Sequence, residues 1–422
     1  MHLLTNPRMR YAWGSVDLLP TLLGEAPDGR PVAEIWMGAH PAAPSLLDVD
    51  GRPERLDAFV ARHPGQALGA RADDGGEDEG DDGDDAGDDA GERAGMHSAR
   101  LPFLLKLLAA GEPLSLQVHP DGAQAAAGHR RENAAGIALT DPRRSYPDDS
   151  PKPEMVYALT SFELLCGFAP VDRVRALLTG LAVTELQPLV DALRSPDPAV
   201  AIESAVTRLL TAARPQQRDL VRAVARVATA RRDDRREYAL VGDLATRFPD
   251  DVGIVATLFL NQLRIEPGES VFIGAGTIHS YVSGLGLELM APSDNVLRAG
   301  LTAKHVDVRE LLRLVDFTPR LPQRLRPTAD DGAVVFRPPG PGFALWTSCR
   351  APTGAAAGPA EPVAVPGPAS GPRIAVACAG RATLARGDER LELAPGQSAF
   401  IPDSDGPLEI STTGTTAVAF CP

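Results

Sequence analysis

Aromatic side chains are scarce in this chain: they make up 5% of its 422 residues, with Trp only at positions 13, 36 and 346. Its cores must therefore pack Ala, Leu and Val, within an apolar content of 44%. Cysteine is as sparse. Cys166, Cys349, Cys378 and Cys421 lie far apart with no CxxC spacing, which argues against a disulfide framework and a thiolate-rich metal site and fits a reducing compartment. No run of about 18 apolar residues occurs, so no membrane-spanning helix is expected. The opening MHLLTNPRMRYAWGS reaches Asn6 and Pro7 before any apolar run of signal-peptide length, and we expect a soluble, cytoplasmic protein. Basic patches interleaved with aromatics and zinc-finger spacings are also missing, which argues against a nucleic-acid partner.

Acidic residues are abundant, but in one place. The formal charge is −14, from 42 basic and 56 acidic residues, yet Asp73 to Glu92 alone holds 12 acidic residues and no basic one. Setting those twelve aside leaves −2, so the rest of the chain is nearly neutral and the acidic total says little about what it binds. Like charges at that density repel and have nothing apolar to bury, so residues 71–95 are expected to be a disordered loop.

At about 150 residues per domain, the length suggests two or three domains. Short apolar runs broken by Gly, Pro and Asp, such as AEIWMGAHPAAPSLLDVDG, predict strands and tight turns from Pro31 to Leu56, within a first β segment over 1–170. LPFLLKLLAAG fits a buried strand or a short helix. From 171 to 262 the apolar period becomes three and four, punctuated by Pro196, Pro198 and Pro215, which predicts a helical insert. Strand and turn patterns return over 263–320, closed by a short helix at ELLRLVDF, and continue over 321–422 as a sandwich or small barrel. The fold class is thus mainly β with an inserted α-helical domain.

In EPLSLQVHPD, Leu114, Leu116 and Val118 alternate with Ser115, Gln117 and His119, which places the three polar residues on one strand face. Gln117 and His119, with Glu154 in SPKPEM and His279 in GAGTIHSY, form a candidate set for a borderline ion such as zinc. Taken singly, each is as well explained by an ordinary hydrogen-bonded strand residue. The run from Gly286 to Asp307 carries Glu288, Asp294, Asn295, Arg298, Lys304 and His305 with little apolar sequence to make them core. Arg298 and Lys304 suit an anionic substrate, since guanidinium and ammonium groups pair well with phosphate. The bland alternative is a polar loop at a domain edge.

Seven motifs together resemble the type I mannose-6-phosphate isomerases: YAWGS (11–15), AEIWMGAHPAAPS (33–45), PFLLKLL (102–108), LSLQVHPD (114–121), KPEM (152–155), GTIHSY (276–281) and LELMAPSDNVLRAGLTAKHVD (287–307). They run in family order over residues 1–320. The resemblance implies a cytoplasmic zinc enzyme of the cupin class, with jelly-roll-like β domains and a helical insertion, that interconverts mannose 6-phosphate and fructose 6-phosphate. It implies metal ligands at Gln117, His119, Glu154 and His279, and an active-site arginine at Arg298. It further implies catalytic roles for Lys152 and Glu288 and substrate contacts at Ser115, Lys106 and Lys304. The only partner expected is a small sugar phosphate, with no membrane or nucleic acid, and the expected state is a monomer.

Two departures stand out. Position 151 is Pro, where several family members carry a His that has been proposed for ring opening, and the acidic run has no family counterpart. A catalytically silent metal-binding cupin that senses a sugar phosphate is the alternative reading; an iron-dependent oxidase fits less well, because a glutamine ligand and a basic cluster are not its signature. Loop closure costs little extra with length, so deleting residues 73–92 is expected to leave kcat/KM within about tenfold of the full chain, checked by steady-state kinetics.

Overall fold

The computed structural model describes residues 1–49, 51–72, 100–348 and 363–422. The bulk of the acidic segment, and the disorder expected of it, lies outside the described residues; Arg71 and Ala72 close a short 3-10 turn that starts at Gly69. The strands that position the site are β1 (Glu34–Gly38), β2 (Leu104–Ala110), β3 (Leu116–Val118), β4 (Glu154–Ala158), β5 (Phe162–Phe168), β6 (Leu260–Ile265), β7 (Ser270–Ile273), β8 (His279–Met290) and β9 (Leu297–Gly300). LPFLLKLLAAG thus resolves to strand, as expected for a run buried at every position.

All these strands pair antiparallel, and β8 organises them. Its second half lies between β2 and β4, with Glu288 opposite both Lys106 and Val156. Its first half pairs with β3 and β5, with His279 opposite Gln117 and Cys166. One strand therefore belongs to both walls of an enclosed space. Strict alternation would send the odd-numbered His279 and the even-numbered Glu288 to opposite faces. A register shift between Tyr281 and Ser283 resets the phase, so that both side chains line one cavity. Gly284 sits just past the shift at φ 122°, and a Cβ there would lie 2.7 Å from the Ser161 carbonyl oxygen and 2.8 Å from the Phe162 ring.

The outer faces are covered on two sides. Leu285, Leu287 and Leu289 of β8, with Leu105 and Leu107 of β2, pack against Phe336, Leu345, Ile374, Phe400 and Ala419 of a second sheet. Each such side chain contributes about 1.5–3 kcal/mol on full burial. Behind β3 and β9, Leu116, Val118, Leu297 and Ala299 join the core of the helical segment. That segment holds α2 (Val171–Gly180), α3 (Pro198–Thr211), α4 (Arg214–Ala230) and α5 (Arg236–Arg247), after an earlier helix α1 (Gly122–Ala134). The apolar period foretells the segment, but α1 was not anticipated. Its one local signal is the capping box of Asp121 and Gln124, whose backbone and side chains bond reciprocally at 2.7 and 3.0 Å.

The second sheet runs, in spatial order, Thr328–Asp330, Ala333–Phe336, Ala344–Ser348, Thr415–Phe420, Arg373–Ala379, Ser398–Ile401, His2–Thr5, Leu46–Val49 and Arg52–Arg55. Residues 2–5, 46–49 and 52–55, placed by sequence in the first β segment, thus pair into the sheet of the last hundred residues. Nothing in a single strand's pattern names its partner. Among the described residues no helix is long and apolar enough to cross a membrane.

Replacing Gly284 by Ala at its positive φ is expected to cost about 2–3 kcal/mol. Differential scanning calorimetry checks this; an unchanged Tm would mean that the bend does not depend on glycine.

Candidate active site

The cavity, about 310 Å³, is lined by residues from both walls, among them Gln117, Lys152, Glu154, His279, Glu288 and Arg298. Register explains part of the assembly. Arg298 on β9, Gln117 on β3 and His279 on β8 stand side by side across three strands. On the other wall, Trp36, Lys106 and Glu288 form a second row across β1, β2 and β8.

Two imidazoles meet one carboxylate. His119 Nε2 lies 3.3 Å from Glu154 Oε1 and His279 Nε2 lies 3.4 Å from Glu154 Oε2, with all three residues buried. Each Nδ1 faces a backbone carbonyl: His119 that of Asn295 at 2.7 Å, His279 that of Thr277 at 3.0 Å. A carbonyl only accepts, so each Nδ1 carries a proton and each Nε2 is turned toward Glu154. His119 Nε2 has no hydrogen-bond partner despite complete burial, an orphan that a cation would satisfy. Burial pushes the His119 pKa down to about 4 against the pull of Glu154, so the imidazole is neutral and free to ligate. Burial acts to raise the Glu154 pKa, but His119 and Lys152, whose Nζ is 3.4 Å away, hold it well below the usual carboxylate range. Gln117 donates from Nε2 to Ser115 Oγ at 3.3 Å, which leaves its carbonyl oxygen as the uncommitted acceptor.

A second cluster faces the first. Lys106 Nζ is 2.9 Å from Glu288 Oε2 and 3.5 Å from Glu34 Oε1, and it sits 5.1 Å from the Trp36 ring centre. Trp36 Nε1 donates to the other Glu34 oxygen at 2.8 Å. Burial would discharge the Lys106 amine, but Glu288 and Glu34 outweigh it and hold it charged. Burial lifts the Glu288 pKa above the ordinary range; Lys106 opposes this, while Glu154 and Glu34 add to it.

Arg298 and Lys304 differ in kind. Both border the cavity, and neither has a carboxylate at ion-pair distance among the described residues. Burial lowers both pKa values, and Arg298 adds to the effect on Lys304. Their loop is braced from the helical side: Asp251 accepts from the backbone N–H groups of Gly253 at 2.7 Å and Thr302 at 3.1 Å.

Of the other residues singled out from sequence, Ser115 touches Gln117 without lining the cavity, and His305 is exposed outside it. Asn295 is fully buried and ties the Asp148 and Ser150 carbonyls to the approach of β9, at 2.9 and 2.8 Å, while orienting His119. Asp294 pairs with buried His40 at 3.3 Å in the cavity wall. Sequence reasoning assigned no role to Glu34, Trp36, His40 or Tyr281, all of which line the cavity. One signal was available: the chain holds three lysines among its 42 basic residues, and all three, Lys106, Lys152 and Lys304, border this one space.

An enclosed cavity that offers neutral imidazole, carboxylate and amide donors next to a carboxylate–lysine pair belongs to a metal-dependent acid–base enzyme. Residues 83–171 match the family phosphomannose isomerase type I, catalytic domain. The chain is 33% identical over 423 residues to the mannose-6-phosphate isomerase of Salmonella typhimurium, covering 99% of this chain and 98% of that protein. It is 31% identical over 367 residues to the Homo sapiens mannose-6-phosphate isomerase, covering 80% and 79%. The crystal structure of the Salmonella typhimurium enzyme bound to its substrate fructose 6-phosphate and to zinc superposes with a TM-score of 0.85 at 31% identity, over 100% of this chain and 99% of that one. A zinc-bound mannose 6-phosphate isomerase superposes at 0.84 with the same identity and coverage. The chain belongs to the type I mannose-6-phosphate isomerases.

Glu34→Gln removes a negative neighbour of Glu288 and is expected to lower the Glu288 pKa. The acid limb of the pH–rate profile then moves to lower pH, because a base is lost as pH falls through its pKa. An acid limb that stays in place would mean that Glu288 does not set it.

Proposed function

We propose that this protein interconverts mannose 6-phosphate and fructose 6-phosphate with zinc held by Gln117, His119, Glu154 and His279. The observation that carries the reading is the buried meeting of His119 and His279 at Glu154, where Glu154 and His279 line the cavity that also holds Arg298 and Glu288, in a chain related over its whole length to this family. The fit to zinc rests on the donor set and on the orphaned His119 Nε2. When bound, zinc would supply a Lewis acid for the sugar's carbonyl and hydroxyl oxygens.

The chain's own residues do the rest. Aldose–ketose isomerisation moves a proton between C2 and C1 and needs the enediol oxygens stabilised meanwhile. Glu288 is the base: an ordinary glutamate pKa near 4.3 is low for that task, and burial supplies the correction. Lys106 holds and orients it. This revises the phosphate contact expected of Lys106, because an anion there would meet Glu34 and Glu288 as well. Lys152 keeps Glu154 ionised and stands ready as a proton donor. Arg298, with no carboxylate at ion-pair distance among the described residues, opposes the charge that develops on oxygen, and Lys304 takes the phosphate, with Ser115 acting through Gln117. With Pro at 151, we assign ring opening to the His40–Asp294 pair.

We further propose that the site wall is a cupin-type jelly roll built from 1–170 and 263–320, with 171–262 as the helical insert and 321–422 as a cupin-like domain that borrows residues 2–5, 46–49 and 52–55. The working unit is a cytoplasmic monomer.

A coupled assay of fructose 6-phosphate formation tests the activity: chelator should abolish it and added zinc restore it. Stoichiometric zinc without turnover would turn the reading to the silent cupin and to Pro151. Arg298→Ala is expected to cut kcat by about 10²–10³ with bound zinc unchanged, as measured by kinetics and metal analysis; a normal rate refutes its role. Glu154→Ala should lower zinc stoichiometry by atomic absorption, and unchanged metal would remove it from the ligand set.

A further inference from the structure

Next to the site cavity lies a larger hollow of about 790 Å³, walled by the start of α4, the turn 249–252 and the segment 299–308. Lys304 borders both spaces. Five charged residues line the hollow: Arg214, Arg218, Lys304, Asp250 and Asp251. Both carboxylates are already committed. Asp250 is chelated by Arg222, Nε to Oδ1 at 2.7 Å and Nη2 to Oδ2 at 2.8 Å, and Arg222 is not part of the lining. Asp251 spends one oxygen on the Gly253 N–H and the other on the Thr302 N–H. Arg214, Arg218 and Lys304 have no carboxylate at ion-pair distance among the described residues, although Arg218 lies near enough to Asp250 to help hold its pKa down. Arg214 and Arg218 are four residues apart on α4, hence on one helix face, and both are exposed.

The hollow therefore carries an excess of positive charge among the described residues, on a chain that is nearly neutral, at −2, once residues 73–92 are set aside. A dianionic sugar phosphate is drawn toward such a local excess, which raises its concentration there. We propose that this hollow is an anion antechamber, in which Arg214 and Arg218 gather the phosphorylated sugar from solvent and hand it to Lys304. The proposal rests on the reading of Lys304 as the phosphate contact. It gives the helical insert a part in the reaction cycle without placing any of its side chains on the reacting carbons.

The test is the full chain carrying Arg214→Glu and Arg218→Glu, with Arg214→Gln and Arg218→Gln as a milder pair should the first fold poorly. kcat and kcat/KM for mannose 6-phosphate are measured at about 20 mM and about 0.5 M ionic strength. The charge-reversed protein is expected to lose about tenfold in kcat/KM at low salt with kcat unchanged, and the loss should close to about twofold or less at high salt as screening shortens the field. The Gln pair should fall between. No loss at low salt, or an equal loss at both salts, overturns the antechamber. Inhibition by inorganic phosphate separates the underlying reading: Lys304→Gln should weaken it, and unchanged inhibition would remove Lys304 as the phosphate contact while leaving a salt-dependent arginine effect on its own footing.

Discussion

Charge taken out of water has to be answered by charge, and this site is built on that constraint. Glu34, Lys106, Glu154 and Glu288 are all buried, and the bare cost of burying any one ion unpaired is several kcal/mol. Glu154 is tolerated because Lys152 stands against it; Lys106 because two carboxylates do. The same pairing sets the chemistry. Glu288 shares its lysine with Glu34, so it is restrained less than a one-to-one partner would be, and burial is left free to raise its basicity. Arg298 and Lys304 have no acidic partner at ion-pair distance among the described residues, which is what suits them to the substrate roles proposed for them.

These pairings depend on strand phase. Row neighbours such as Gln117 and His279, or Lys106 and Glu288, come together because antiparallel register puts directly opposed residues on one face. The two rows face each other only because β8 slips phase near Gly284. The helical insert then backs the row of Gln117, His279 and Arg298 through Leu116, Val118 and Leu297, and the second sheet backs the other row through Leu285, Leu287 and Leu289. Neither support touches the cavity chemistry, yet each fixes a strand that does.

That division explains what could be read from the letters alone. Period 2 in LSLQVHPD was enough to put Gln117 and His119 together, and the change to period three-four marked the insert. His279 and Glu288 were another matter: nine residues apart along what turned out to be a single strand, their parity argues for opposite faces, and only the observed bulge reverses that. Glu34 and Trp36 lay inside a motif but on a strand with no alternation, since every residue of β1 is buried, so nothing marked which way they point. The pairing state of Lys106 against Lys304 is a property of neighbours distant in sequence, and it decided which lysine suits a phosphate. The pairing of residues 2–5 with 398–401 was equally invisible, being a choice among many similar strands.

That last pairing sets a clock on biosynthesis. His2 and Leu3 lie opposite Phe400 and Ala399, so the strand 2–5 waits for about 400 further residues before its edge is covered on that side. Closing so long a loop is intrinsically slow, and until then an unpaired edge is open to other chains. Every residue lining the cavity lies at or before residue 304, whereas the strands that close this seam, 373–379 and 398–401, come later in synthesis.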